Sequence, residues 1–360
     1  MRSDAAVNEP GLAEKVCFLS DGAHLGEPAA QVERVETHFA WVFLTPNVAY
    51  KLRKPGRHGG GDASRLAARR AICDEEFRLN QALAPGVYFG VVPLALGPDG
   101  SLAFGRAIPP DSEGRWRTID WLLHMRRLPA ARMLDRMIRD GTVRGEDLEA
   151  LGAHLDRFYR HGPGLPISGR EYCRRLGAAI RQNRETLLTD RSGQVDVAVV
   201  EETTQLQQQW LVSNRRLLRK RAEQRAIRDC HGDLKPEHVC LGPPVRVIDR
   251  LDLDPVLREL DPVEDLALLW LECERLGAPD IGERIIRRHV AEHDAGLPEP
   301  LLFFYLSNRA LTRARLAVWR LAEPDTDRAL WQRRLHTYAS RALTAVQQAG
   351  PTDCSVGAAR

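Results

Sequence analysis

The chain has 360 residues, 43% of them hydrophobic and 28% charged, which is the composition of an ordinary globular protein with ample core. Its 52 basic and 49 acidic side chains leave a formal net charge of only +3, too mild to argue for nucleic acid as a partner. Seven cysteines without a CxxC pair, no signal-type apolar run in the first residues and no stretch of roughly 18 apolar residues point to a cytoplasmic protein with reduced thiols and no membrane span.

In chain order, residues 31–54 read as two or three strands. Gln31–Glu36 and Phe39–Leu44 are rich in β-branched and aromatic residues, Thr45-Pro46-Asn47 supplies a turn, and Val48–Arg53 resumes extended chain. The Gly59–Gly61 run lacks the GKS or GKT ending of a phosphate loop and reads as a linker. Asp62 or Ser64 is placed to cap a helix reaching about Leu83. Gly90–Leu96 and Ser101–Phe104 bracket Gly97-Pro98-Asp99-Gly100, a hairpin signal, and Thr118–Met125 is a further strand. Residues 1–125 are therefore mostly strand with a single helix inserted early. From Met133 onward apolar residues recur at helical spacing, as at Leu148, Leu151, Leu155 and Phe158, through Ala345. One short hairpin interrupts this pattern, His238–Leu241 and Val245–Ile248 around Gly242-Pro243-Pro244.

That hairpin is flanked by acids: Cys230-His231-Gly232-Asp233-Leu234-Lys235-Pro236-Glu237-His238 before it and Val247-Ile248-Asp249 after it. A hairpin returns the chain to where it began, so residues 16 positions apart are expected to face one cleft. Phosphoryl transfer uses such a pair, one carboxylate for the hydroxyl and one for a metal on the phosphates. HGDLKPEHV resembles the catalytic loop of aminoglycoside phosphotransferases and the HRDLKPEN loop of protein kinases, and VID resembles the metal-binding segment that follows it in both. Val48-Ala49-Tyr50-Lys51 is similar to the VAIK lysine segment of kinases, and such a lysine requires an acid on the next helix. Ile72, Cys73, Leu79 and Leu83 mark that helix's apolar face; Glu76 falls near its middle and Glu75 near its edge, so both are candidates. Asp261-Pro262-Val263-Glu264-Asp265-Leu266-Ala267 resembles the DxxxDLA segment of these phosphotransferases, which implies that Asp265 braces the catalytic loop.

The resemblance extends to about residue 322 and is to the aminoglycoside phosphotransferase and choline kinase-like family, in an uncharacterised bacterial branch. It implies an α+β, protein-kinase-like two-lobe fold with a small β-rich N-lobe (1–125) and a larger, mostly helical C-lobe (126–350). The C-lobe would hold the catalytic loop, the metal-binding hairpin and a helical acceptor region (165–225), and 351–360 would be a tail. The implied activity is transfer of the γ-phosphate of ATP to a hydroxyl of a small molecule, with Mg2+ or Mn2+. Asp233 and Lys235 would be catalytic. Lys51 with Glu76 or Glu75 would hold the phosphates, the hinge residues Met125, Arg126 and Leu128 would meet adenine, and Asp249 and His238 would bind metal. Oligomeric state, acceptor and pathway stay open.

Two departures qualify this. His238 stands where both families place Asn, and an imidazole nitrogen is softer than an amide oxygen, favouring manganese or zinc over magnesium. A catalytically weak or inactive, pseudokinase-like nucleotide- or partner-binding module is the rival reading. Secondly, Val35 to Leu44 contains no glycine; Thr37 and His38 are left as candidate phosphate donors or a plain surface turn. A protein kinase is disfavoured because only 12 positions separate Asp249 from Asp261, too few for an activation segment. The basic run Arg215–Arg225 reads as a solvated helix face, and Trp210, Trp270, Trp319 and Trp331 as core.

Overall fold

A six-stranded antiparallel sheet organises the first third of the chain. The computed structural model describes residues 9–27, 31–58, 61–108, 115–190, 193–323 and 326–350. It divides into two compact units, 1–133 with 240–257, and 134–239 with 258–360.

In the first unit, helix α1 (Leu12–Leu19) precedes strands β1 (Glu33–Glu36), β2 (Ala40–Leu44) and β3 (Val48–Arg53). A two-residue pair, β4 (Arg57–His58) and β5 (Gly61–Asp62), leads to α2 (Leu66–Asn80); β6 (Tyr88–Leu96), β7 (Leu102–Phe104) and β8 (Arg117–Arg126) follow. The sheet order is β1-β2-β3-β8-β6-β7, so β8, last in sequence, inserts between β3 and β6. Its register sets Lys51 opposite Leu123 and Ala49 opposite Met125. Leu19, Phe43, Leu52, Leu94, Ile119 and Leu122 fill one face of the sheet and are buried. At about 1.5–3 kcal/mol for each large apolar side chain, this layer fixes which face is inward.

The sequence expectation of one early helix misses α1. This helix is tied down by Lys15, buried at 6% exposure, whose ammonium donates to Asp120 Oδ2 at 2.9 Å and to the Ile119 carbonyl at 3.2 Å. Helix α2 begins at Leu66 with Arg65 at its N-cap position and no side-chain cap bond from that residue, and Arg69 reaches back to the carbonyls of Ala63 and Ser64; the side chain of Asp62, an expected cap, lies outside the described residues. Thr37 closes the β1–β2 turn through Ala40, the plain-turn alternative. Gly59 and Gly60 lie outside the described residues, as does the expected tail 351–360.

The second unit is helical: α3 (Leu134–Arg139), α4 (Gly145–His161), α5 (Gly169–Leu188), α6 (Val197–Ser213) and α7 (Arg215–Glu223). In chain order short strands β9 (Arg228–Asp229), β10 (Val239–Cys240), β11 (Arg246–Val247) and β12 (Glu259–Leu260) come next, β11 lying in the 240–257 segment of the first unit; β10 pairs with β11 and β12 with β9. Helices α8 (Pro262–Arg275), α9 (Pro279–His293), α10 (Glu299–Leu321) and α11 (Arg328–Ala349) complete it. Every residue of α8 from Pro262 to Cys273 is buried, which makes it the central helix of this unit. Gly282 on α9 lets the backbones approach closely, since a Cβ there would overlap the Trp270 main chain.

The boundary expected at residue 125 is cut differently by the compact units. Residues 240–257, with most of the hairpin and Asp249, belong with the sheet rather than with the helices. Within that first unit Val247 N–H donates to the Leu83 carbonyl at 3.0 Å, and Arg250 N–H to Asn80 Oδ1 at 3.0 Å. These bonds fasten the segment to the end of α2. Two tryptophans, Trp210 and Trp270, are core as expected, but Trp319 is exposed with the Arg315 guanidinium over its ring.

Candidate active site

Side chains alternate along β3, so Lys51 and Arg53 point to the same face of the sheet. Both meet Glu76, which α2 presents from its buried face at 2% exposure. Lys51 Nζ lies 2.8 Å from Glu76 Oε1 and 2.7 Å from Asp249 Oδ1; Arg53 Nη2 lies 3.1 Å from Glu76 Oε2 and also pairs with Asp252. The result is a chain of alternating charge, Asp249–Lys51–Glu76–Arg53–Asp252, with a carboxylate at each end. Burial disfavours the Lys51 ammonium, but Asp249 and Glu76 outweigh it and hold its pKa above the usual lysine value.

Asp249 sits at φ +61°, in the left-handed region that few residues other than glycine adopt, and its N–H donates to the Tyr88 hydroxyl at 3.2 Å. The backbone is thus held in an uncommon conformation that turns the carboxylate to Lys51. Beside it, Ile248, Met125 and Leu128 pack, partly buried, against Ala84, Val87, Tyr88 and Leu123.

In the second unit, the Asp233 loop is held by Asp265 from the first turn of α8. Asp265 Oδ2 accepts the His231 N–H and Oδ1 the Gly232 N–H, both at 2.9 Å, and Oδ2 also accepts the Tyr159 hydroxyl at 2.9 Å. Gly232 adopts φ +87°, a conformation open to glycine at little cost, so the loop can turn under Asp265. The Asp233 N–H donates to His231 Nδ1 at 3.2 Å, which makes His231 a brace rather than a base. Lys235 Nζ lies 2.7 Å from Asp233 Oδ2, and Arg313 Nη1 3.7 Å from Oδ1. Burial opposes ionisation of Asp233, but Lys235, His238 and Arg313 outweigh it and hold the carboxyl well below the usual range. His238 is buried at 7% exposure with Nδ1 3.0 Å from the Asp233 carbonyl. A proton on Nδ1, donated to that carbonyl, puts the ring's lone pair on Nε2.

No family model matches the chain. Curated relatives include uncharacterised proteins of Mycobacterium tuberculosis (strain ATCC 25618 / H37Rv) and Mycobacterium bovis (strain ATCC BAA-935 / AF2122/97), each 27% identical over 297 residues, 80% of this chain and 55% of theirs. The chain spans about half the length of the curated relatives it matches. Among solved structures, the GDP complex of wild-type aminoglycoside 2'-phosphotransferase-IIIa matches with a TM-score of 0.55 at 12% identity, over 94% of this chain and 99% of that one. Choline kinase from Cryptosporidium parvum Iowa II matches at 0.52 and 10% identity over 94% and 97%, and LicA in complex with AMP at 0.51 and 14% over 95% and 100%. The fold is that of the aminoglycoside phosphotransferases and choline kinases.

Onto this phosphotransferase fold the sequence-chosen residues fall as follows. Lys51, Glu76, Asp249, Met125 and Leu128 come together in the first unit; Asp233, Lys235 and His238 come together in the second. Of the two glutamates, Glu76 holds Lys51, whereas Glu75 is only partly buried and pairs with Arg78 at 2.7 Å. The Arg126 N–H donates to the Val87 carbonyl at 2.7 Å and its guanidinium lies over Phe89. The Arg127 N–H likewise bonds to the Asn47 carbonyl at 2.9 Å.

Several residues escaped the sequence reading. Arg53 and Asp252 extend the ion-pair chain, and Arg53 was legible as a second cation on the face of β3 that carries Lys51. Arg313 on α10 bridges Asp233 to Glu272, which is fully buried and also bonded by the Tyr338 hydroxyl at 2.8 Å. Its signal was a cation at helical spacing from Leu306, Ala310 and Ala317, a stripe that is otherwise buried. Arg221, expected on a solvated face, is buried at 8% and lies 2.5 Å from Asp261; its neighbours Arg215, Arg216, Arg219 and Lys220 are exposed as expected.

Proposed function

We propose that this protein transfers the γ-phosphoryl group of ATP to a hydroxyl of a small molecule, as an aminoglycoside phosphotransferase-like enzyme. The observation that carries the reading is the Asp233 loop, where Asp265 fixes the main chain and an ionised carboxylate stands between Lys235 and Arg313. Around it a transfer reaction has its parts. Asp233 orients the acceptor hydroxyl. Held well below the usual range, it is a weak base, so it takes the proton late, as the new O–P bond forms and the bond to the ADP leaving oxygen breaks. Lys235 faces the charge on the transferred group. Lys51, kept protonated by Glu76, holds the α- and β-phosphates, and Met125, Leu128 and Ile248 cover the adenine ring.

Each unit offers a candidate donor for a divalent cation: Asp249, in the first, a hard oxygen at 45% side-chain exposure, and His238, in the second, a nitrogen in place of the usual amide oxygen. A bound Mg2+ or Mn2+ supplies positive charge that neutralises the phosphates during transfer. The His238 nitrogen favours manganese. The acceptor meets α5 to α7, the 165–225 region, and the 12 positions between Asp249 and Asp261 leave no room for a protein-kinase activation segment.

The test is an ATP-consumption assay over alcohols, sugars and amino-alcohols with either metal. Turnover lost in Asp233→Asn with nucleotide binding kept supports the enzyme, and His238→Asn should move the optimum from manganese towards magnesium. Metal-dependent ATP binding without turnover in any combination sinks the enzyme reading and leaves the nucleotide-sensing module that His238 favours. Absence of binding sinks both.

A further inference from the structure

Away from the Asp233 loop, α4 and α9 pack in the second unit with an unusual set of side chains between them. Asp156, buried at 3% exposure, comes from α4; His289 and His293 come from α9 with the i, i+4 spacing that puts two side chains on one helical face. His289 Nδ1 lies 2.6 Å from Asp156 Oδ1 and His293 Nε2 lies 3.4 Å from Oδ2. The potential ligand atoms of the three residues all lie within 4.8 Å of one another. Glu292 Oε2 is 3.7 Å from His293 Nε2, an oxygen from a fourth residue on the rim.

Two imidazoles and a carboxylate on rigid helices form a donor set for a borderline divalent transition metal. Bonds of about 2.0–2.2 Å in a tetrahedron place ligand atoms roughly 3.4 Å apart, close to the separation already present between His293 and Asp156. Two imidazole nitrogens among three ligands are too soft a set for calcium or magnesium, which take oxygen. One cation stands in the way. Arg288 pairs with Asp156, but it also lies 3.1 Å from Glu149 and 2.9 Å from Glu292, so it has other acids to turn to.

We propose that Asp156, His289 and His293 form a zinc-class metal site that clamps α4 to α9, separate from the nucleotide metal. The clamp would reach the catalytic loop mechanically. Tyr159, one turn beyond Asp156, sets its ring edge against His289 at 5.6 Å and donates its hydroxyl to Asp265, the residue that braces His231 and Gly232. Metal at the clamp would therefore stiffen the support of that loop.

The alternative is a plain Asp156–His289 hydrogen bond, and His293 separates the two. Its side chain is 23% exposed and a structural pair has no need of it, so His293→Ala should fold. The experiment is calorimetric titration of the chelator-treated full chain with Zn2+ alone, followed by the visible spectrum of the Co2+ form. One equivalent with tetrahedral cobalt bands is expected. His293→Ala should weaken binding on the order of 100-fold or more, and Arg288→Ala should tighten it by removing the competing cation. The double variant Asp249→Ala/His238→Ala should bind as the wild type does. Failure of the wild type to bind, equal binding by His293→Ala, or loss of binding only in the Asp249/His238 variant would each overturn the proposal.

Discussion

Glu76 is the residue on which the first unit's ionic order turns, and Glu76→Gln tests it. The substitution keeps the shape and removes one charge from the middle of the chain Asp249–Lys51–Glu76–Arg53–Asp252. Removing one partner from a buried pair costs about 3–5 kcal/mol. Here Lys51 keeps Asp249 at 2.7 Å and Arg53 keeps Asp252, so the low end, about 3 kcal/mol, is expected. For a unit of this size each kcal/mol moves the midpoint by roughly 2–4 °C, which predicts a fall of about 6–12 °C in thermal unfolding. Nucleotide binding should weaken as well, because a Lys51 held only by Asp249 is no longer directed across the sheet. Glu75→Gln is the matched control. Its partner Arg78 is 65% exposed, so the loss should stay below about 1 kcal/mol. If Glu76→Gln melted within about 2 °C of the wild type, or if the two variants behaved alike, the assignment of Glu76 as the lysine's anchor would be wrong.

Asp265 shares three donors between its two oxygens, so Asp265→Asn leaves one carbonyl oxygen to accept and turns an amide NH2 towards the donors on the other side. Charge-assisted bonds are worth about 1.5–3 kcal/mol each, so a loss of roughly 3–5 kcal/mol is expected in denaturant unfolding, with transfer activity falling further than nucleotide affinity. Cysteine reactivity follows burial. Cys73 is pushed up to about 12 by burial and then by the Glu76 charge, while Cys17 is exposed, so alkylation near pH 8 should label Cys17 and spare Cys73 until the chain unfolds. The sign for stability is that of a raised acid: the Cys73 contribution is complete below the free-thiol range and is lost as pH climbs from about 9 towards 12. A Cys73→Ser variant should flatten that alkaline limb.

Strand-rich beginning and helical remainder were legible because period-2 and period-3.6 patterns differ in kind, and Asp233, Asp249 and Lys51 because each lies in a short motif with its own turn chemistry. What escaped was tertiary. Helix α1 carries its decisive residue, Lys15, in a stretch whose pattern is short; nothing local says that an ammonium will be buried against Asp120, 105 positions away. The hairpin's grouping with the sheet was hidden for a similar reason. Residues 240–257 follow the catalytic loop in sequence, but their backbone donors find acceptors at Asn80 and Leu83, and hydrogen-bond partners rather than chain order decide which unit a segment joins. Helical phase, at about 100° per residue, puts Glu76 near the middle of the apolar face and Glu75 at its edge, whereas alignment to the family resemblance without gaps favours Glu75. The second cation on β3 decides between them, as it needs an acid on the buried side.

The same ion-pair chain also suggests where a cation would enter the first unit. It alternates in sign and ends on carboxylates, so its three acids and two cations sum to −1 and a carboxylate stands at each end. The ends are not equivalent. Asp252 has 8% side-chain exposure and is held by Arg53, whereas Asp249 has 45% and shares Lys51 with Glu76. A cation arriving from solvent loses least hydration at the more exposed end, so Asp249 is favoured on desolvation alone. Cation binding there would also compete with Lys51 for the carboxylate and turn the ammonium outward towards a phosphate, while Glu76 keeps it charged. Metal and nucleotide should therefore bind with positive coupling, each raising the other's affinity by the same factor. Asp249→Asn should abolish that coupling while leaving a weak, metal-independent affinity that rests on Lys51. Equal ATP affinity with and without metal in the wild-type protein would refute this account of the chain's polarity.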